Sequence, residues 1–159
     1  MEQAIVQFNA EGTATGKMRN DLSISMSQPF AEGPWEMATD EGSFHGGDGS
    51  APPPLALFVG GLTGCIMTQI RAFAKRMGVS LSDLRVETRV QWNWEAKGRV
   101  YETAPKSFEI DVLMESPNSK AEVTALIEAA KKGCFIEQTL GRGNTIRHRL
   151  KTPEGWVDV

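Results

Sequence analysis

Two cysteines, two histidines and one tyrosine are all that the 159 residues hold of those side chains. With so few soft ligands and no C-x-x-C pair, the usual spacing of a structural zinc site is missing, and no metal is expected. Two thiols are also too few for the disulfide-dense scaffold of a small secreted domain. Neither sign of charge dominates, with 17 Lys and Arg against 20 Asp and Glu. The net charge of −3 lacks the basic footprint of a nucleic-acid partner. The start, MEQAIVQFNAEG, has neither the basic residues nor the apolar core of a signal peptide. A cytoplasmic, reducing location is therefore expected, with thiols that are free or redox-active.

Long apolar runs are scarce too. The one uncharged stretch, residues 49–70, is opened by Pro52, Pro53 and Pro54 and interrupted by Thr63, Thr68 and Gln69. About sixteen residues follow the prolines, fewer than the roughly 20 that cross a bilayer. The expectation is a buried helix of a soluble protein and no membrane partner. No predicted strand runs into a glycine-rich phosphate turn, so neither a nucleotide fold nor a bound cofactor is expected.

What is present fits one domain over residues 1–159, with 40% hydrophobic and 23% charged residues. Short strands are expected at Ile5–Phe8 and Leu22–Met26, around the turn-rich NAEGTATGKMRND. The glycine- and proline-rich MATDEGSFHGGDGSAPPP has no periodicity and reads as a mobile surface loop. A long helix follows, ending near Met77 with Gly78 just past it. In LRVETRVQWNW, Leu84, Val86, Thr88, Val90, Trp92 and Trp94 alternate with polar residues, and Phe108, Ile110, Val112 and Met114 repeat the pattern. An antiparallel pair with one apolar face is predicted, its tryptophans covering the core or a subunit seam.

Ser119 and Glu122 make a capping box before the apolar face of Val123, Leu126, Ile127 and Ala130. Lys131 and Lys132 suit the negative end of that helix, and Gly133 reads as its stop. Cys134 then opens CFIEQTLG, where a helix N-terminus would favour its thiolate. A strand-like NTIRHRLK and a tail with Trp156 complete an α+β layout. In that strand His148 alternates with Ile146 and Leu150 and is read as facing inward, whereas His45 is read as an exposed loop residue.

The long helix carries an internal puzzle. On a helical wheel, Leu55, Val59, Leu62, Ile66, Ile70, Phe73 and Met77 share one side. Ala56, Gly60, Gly61, Gly64 and Thr68 share the other, with Cys65 at its edge. Each interior glycine costs roughly 1 kcal/mol relative to alanine. A small-residue face lets a second backbone approach closely, and a second copy of the chain is its simplest source. A homodimer with this helix buried between subunits is expected. The plain alternative is that Cys65 is a small apolar residue in a tight contact and Cys134 a filler after a helix.

PPPLALFVGGLTGCIMTQIRAFAKRMGVSLSDLRVE, with AAKKGCFIEQTLGRGN further on, resembles the OsmC/Ohr family of osmotically inducible and organic hydroperoxide resistance proteins. The likeness covers about residues 43–150. It implies an OsmC-like fold, with antiparallel sheets wrapped around a long central helix in an intertwined homodimer. It also implies a thiol-dependent peroxidase in oxidative stress defence. Cys65 would become a sulfenic acid on attacking an organic hydroperoxide, and Cys134 would resolve it as a disulfide that an external dithiol reduces. The family's activating arginine maps onto Arg19, with Lys17 as the alternative cation. In two places the chain departs from the family. The glutamate that anchors the arginine is replaced by uncharged Leu55 or Ala56, leaving Glu36, Glu41 or Asp48 as substitutes, and Phe135 follows the second cysteine where proline is usual. Arg142 is read as a solvated arginine, with help in charge balance near Cys134 as the alternative. The competing readings are a dimeric binding module with an apolar pocket and a redox sensor using the same two thiols.

Overall fold

The computed structural model describes residues 4–159, and the chain divides into two compact units at residue 60. The first unit is an antiparallel sheet of β1 (Gln7–Ala14), β2 (Asn20–Gln28) and β3 (Glu32–Thr39), with β2 in the middle. The long helix α1 (Pro54–Met77) begins in this unit and continues in the second.

The sheet is larger than the sequence predicts. The expected turn-rich stretch supplies most of β1, and the reversal shrinks to a short loop closed by the Thr15 amide donating to the Arg19 carbonyl at 3.0 Å. Gly12 is a strand residue whose missing Cβ makes room for Leu22, the residue paired with it on β2. β3 went unpredicted because it contains Gly33 and Pro34. An edge strand tolerates a residue with no N–H to donate.

The glycine-rich loop after β3 is also more ordered than expected, because Asp40 organises it. This residue is 2% exposed. One carboxylate oxygen accepts from the Glu41 amide at 2.9 Å, the other from the amide and hydroxyl of Ser50, each at 2.8 Å. The Ser50 amide, then its hydroxyl, hold the Asp40 carboxyl below its ordinary range. Gly47 passes so close to the Glu41 carbonyl that no side chain fits there. His45, in a short helical turn at Ser43–His45, is exposed as expected and meets the Phe44 ring edge-on.

The second unit holds the rest of α1, a hairpin of β4 (Ser82–Lys97) and β5 (Val100–Glu115), α2 (Lys120–Gly133), a six-residue α3 (Phe135–Leu140), and a small hairpin of β6 (Arg149–Thr152) and β7 (Gly155–Asp158). Mixed helices and antiparallel sheets give the α+β class predicted from the sequence. Gly78, left-handed at φ +70, ends α1, and the Val79 amide returns to the Ala74 carbonyl at 3.0 Å. The hairpin pairs Val86 with Val112, Thr88 with Ile110 and Val90 with Phe108, which aligns the two apolar alternations. The capping box of Ser119 and Glu122 forms as predicted.

The core of this unit is Ile66, Ile70 and Ala74 of α1 against Leu126, Ala130 and Cys134, with Val86, Ile110 and Val112 beneath. Truncating a residue such as Ile70, which is fully buried, costs about 2–5 kcal/mol. At 24 residues and a mean hydropathy of 1.4 over its apolar window, α1 is long and apolar enough to cross a bilayer. The expected shortfall in length is therefore not found, because the helix takes in Pro54 and runs past Ile70. Its apolar stripe is used instead as the spine of this core.

One sequence expectation fails at the surface, and another keeps only one of its two alternatives for Trp94, a subunit seam. His148 is exposed, as are Ile146 and Leu150: the first two precede β6, which starts only at Arg149, and Leu150 lies within that strand on an uncovered face. Trp94 covers no core. It lies 55% exposed beyond the core-covering part of β4, its ring 5.4 Å from that of Tyr101, while Trp92 is half-buried against Phe108.

Candidate active site

Two helices bring the cysteines together. Cys65 sits in the middle of α1, one residue before the buried Ile66, so it borders the apolar stripe. Cys134 occupies the break between α2 and α3, with an extended backbone at φ −76, ψ 109. Its carbonyl accepts the Gln138 amide at 2.9 Å, which starts α3. The side chain of Cys134 is fully buried in the core cluster, and half-buried Cys65 packs against the same cluster. The Cys65 side chain is close enough to Cys134 to raise the proton affinity of its thiol.

The electrostatics of Cys134 reverse a sequence expectation. A helix N-terminus was expected to favour its thiolate, yet the thiol is pushed up from 9.0 to about 11. Burial is the largest cause, and the Cys65 side chain adds to it. The Glu137 backbone amide acts in the opposite direction and is outweighed. Cys134 is thus a sealed, protonated thiol, whereas Cys65 is the one that solvent reaches.

Glu137 is the site residue that sequence reasoning missed. It lies in the first turn of α3, three residues after Cys134, half-buried, with one carboxylate oxygen that has no hydrogen-bond partner among the described residues. Burial raises the affinity of Glu137 for a proton. Lys131 opposes this, and Glu128, which holds the Lys131 ammonium at 2.8 Å, reinforces it. The available signal was a lone acid in the segment CFIEQTLG directly after the second cysteine.

Glu137 also lines a cavity of about 380 Å³. Its floor is apolar, made by Ile66, Phe108, Ile110, Val112 and Ile127, and its charged side is Glu137 with Lys131 and Glu128. Such a lining suits the alkyl part of a small amphiphile. Arg142 borders a separate depression that also includes Cys134, but its guanidinium donates to the Gln138 side chain at 3.0 Å.

Arg19 belongs to the first unit and the two thiols to the second. Within its unit Arg19 is held by Asp21 at 3.0 Å and by the Ser50 hydroxyl at 2.9 Å. That hydroxyl in turn donates to Asp40. Of the three expected substitute anchors, none bonds Arg19 among the described residues. Glu36 accepts from Ser23, Asp48 pairs with Lys17 at 2.8 Å, and Glu41 contributes only its amide to Asp40. Leu55 and Ala56, the two positions read for the family glutamate, are both exposed. Among the described residues, no group of three or more His, Cys, Asp or Glu side chains gathers as a metal site.

Comparison with known proteins gives a consistent likeness. A family model described as OsmC-like protein matches residues 47–149. The solved structure of an OsmC-like hydroperoxide resistance protein from Jannaschia sp. CCS1 is 59% identical, covering 97% of this chain and 98% of its own, with a TM-score of 0.68. An organic hydroperoxide resistance protein OsmC from Legionella pneumophila covers 89% of this chain and 93% of its own at 22% identity and a TM-score of 0.56. One from Elizabethkingia anophelis, with thiocyanate bound, covers 90% and 93% at 17% identity and a TM-score of 0.58. The last two speak for the fold alone. No curated protein sequence matches the chain.

Proposed function

The chain belongs to the OsmC-like family, and from that premise we propose that it is a cytoplasmic thiol-dependent peroxidase that reduces organic hydroperoxides. The observation that carries this reading is the asymmetry of two thiols packed in one cluster: Cys65 is accessible, and Cys134 is sealed and holds its proton. A first nucleophile must meet a substrate from solvent, and a resolving thiol needs only to meet the first.

In this scheme the Cys65 thiolate attacks the distal peroxide oxygen. The O–O bond breaks, the alkoxide leaves with a proton as an alcohol, and Cys65 becomes a sulfenic acid. Cys134 then attacks the Cys65 sulfur, forming a disulfide and releasing water. An external dithiol reduces that disulfide by exchange, giving back both thiols. Arg19 is the proposed cation that favours the Cys65 thiolate, held by Asp21 and by Ser50 in place of the missing glutamate.

We further propose that the working form is a homodimer. Gly60 and Gly64 face open space and both are exposed, so the small-residue face of α1 is uncovered within one chain. Trp94, Tyr101 and Val100, at the far end of the β4–β5 hairpin, are uncovered as well. A second copy supplying cover to both features accounts for the glycines at the cost of local helix stability.

The test is dithiol-dependent loss of cumene or tert-butyl hydroperoxide by wild type, Cys65→Ser and Cys134→Ser. Cys65→Ser is expected to abolish turnover, while Cys134→Ser reacts once and recycles slowly. Equal background rates for all three would replace the peroxidase with a dimeric binding module.

A further inference from the structure

The cavity of about 380 Å³ lies wholly within the second unit, and neither thiol lines it. Its volume falls at the lower end of the roughly 300–1,000 Å³ typical of small-molecule sites. Three elements make its floor: Ile66 of α1, Ile127 of α2, and Phe108, Ile110 and Val112 of β5. Their side chains offer a ligand no polar group.

One wall differs. Glu137 lines the cavity half-buried, and one of its carboxylate oxygens is buried with no hydrogen-bond partner among the described residues. The donors around it are committed elsewhere. Glu128 holds the Lys131 ammonium at 2.8 Å, the Gln138 side-chain amide donates to the Lys131 carbonyl at 3.0 Å, and the Arg142 guanidinium donates to Gln138. Glu128 and Lys131 lie on the same wall and pair with one another, which leaves the Glu137 carboxylate without a counterion of its own. Withdrawing a carboxylate from water without a partner is costly. A ligand that brings a cation removes that cost.

We propose that this cavity binds a primary alkylammonium, its charged head on the Glu137 carboxylate and its chain along the apolar floor. An alcohol of the same length supplies a donor but no charge. A fatty carboxylate meets Glu137 and Glu128 as like charges. A diamine would strand its second charge on the floor, where Ile66, Ile110 and Val112 give it no partner. The class selected is a monoamine with one apolar arm. The site includes neither sulfur, so the inference stands apart from the thiol cycle.

The test is calorimetric titration of the full reduced chain with hexylammonium, hexanol, hexanoate and methylammonium. The methyl resonances of Ile66, Ile110, Val112 and Ile127 are followed by NMR to locate the ligand. Hexylammonium is expected to move those resonances and to bind about 10-fold more tightly than hexanol, the margin of a charged hydrogen bond over a neutral one. Methylammonium, which lacks the chain, should bind at least about 10²-fold more weakly, and hexanoate should not compete. Glu137→Gln keeps the size and loses the charge, and should hold hexylammonium no better than hexanol. Ile127→Phe fills the cavity from α2 and should exclude both, which keeps the site testable if Glu137→Gln does not fold. Cys65→Ser should bind hexylammonium as wild type does. Wild type that binds no hexylammonium, or binds hexanol equally well, overturns the inference. So does binding that leaves the cavity methyl groups unmoved, or that survives intact in Glu137→Gln or Ile127→Phe. Loss of binding in Cys65→Ser would move the ligand to the thiols and overturn it as well.

Discussion

A Cβ on Gly133 would stand 2.5 Å from Cζ of Phe73, so the last residue of α2 lies flat beneath an aromatic ring of α1. Gly133 has no left-handed φ, and its role is close approach rather than the helix-stopping conformation that its sequence position suggests. An alanine there gains roughly 1 kcal/mol of helix propensity but must push the ring away, at about 1–3 kcal/mol. Gly133→Ala is expected to lose about 1 kcal/mol net, read as a lower urea midpoint at unchanged slope. Combining it with Phe73→Leu should recover stability beyond the sum of the single effects, by about 0.5 kcal/mol or more. Simple additivity would mean that the ring yields without cost.

Cys134 ties stability to alkaline pH. Its folded-state affinity is raised, so the native protein keeps a proton that the unfolded chain releases earlier. The stability this confers is fully present below pH 9.0 and lost as pH rises through about 11. Thermal unfolding of wild type should therefore fall steeply across that window. Cys134→Ala should start lower, because it leaves a cavity, and fall less. Parallel declines in the two proteins would place the alkaline sensitivity elsewhere.

Much of this arrangement could be read from local patterns. Ser119 and Glu122 announce α2, and the alternations through Val86–Val90 and Phe108–Val112 give a hairpin that pairs in that register. Elements fixed by distant partners were not legible. The Gly33–Pro34 pair hides β3, because nothing local says that the strand lies at an edge. Asp40 looks like any loop acid until Ser50, ten residues on, folds back onto it. The helix-terminus argument for Cys134 was sound locally and failed because burial comes from α1, which a neighbouring sequence cannot show. Glu137 escaped for the same reason: its unused oxygen is a property of the packed unit.

The Asp40–Ser50–Arg19 chain has an acid counterpart. Hydrogen bonds from Ser50 lower the Asp40 carboxyl, so its contribution to stability is present above the unfolded value, about 3.9, and is lost as pH falls through the folded one. Asp40→Asn should lower the unfolding midpoint at neutral pH, with the gap from wild type narrowing in acid. If Arg19 is positioned through this chain, Ser50→Ala should also slow hydroperoxide turnover at its first step, the loss of peroxide to Cys65, while leaving reduction of the Cys65–Cys134 disulfide by an external dithiol unchanged. A Ser50→Ala enzyme with full turnover would detach Arg19 from the scheme.

The glycines of α1 allow stability and association to be separated. Nothing lies within 4 Å of a Cβ built on Gly60 or Gly64, so in an isolated chain alanine fits at both positions and gains roughly 1 kcal/mol of helix propensity at each. If a second copy packs on that face, the same methyl groups hold the backbones apart, and larger side chains do so more strongly. Gly60→Leu with Gly64→Leu is expected to shift the protein from dimer to monomer in sedimentation at micromolar concentration. The gain in helix propensity should persist under conditions where wild type itself dissociates. A wild type that sediments as a monomer at every concentration, with the leucine pair only raising its melting temperature, would leave the three glycines of α1 without a packing reason.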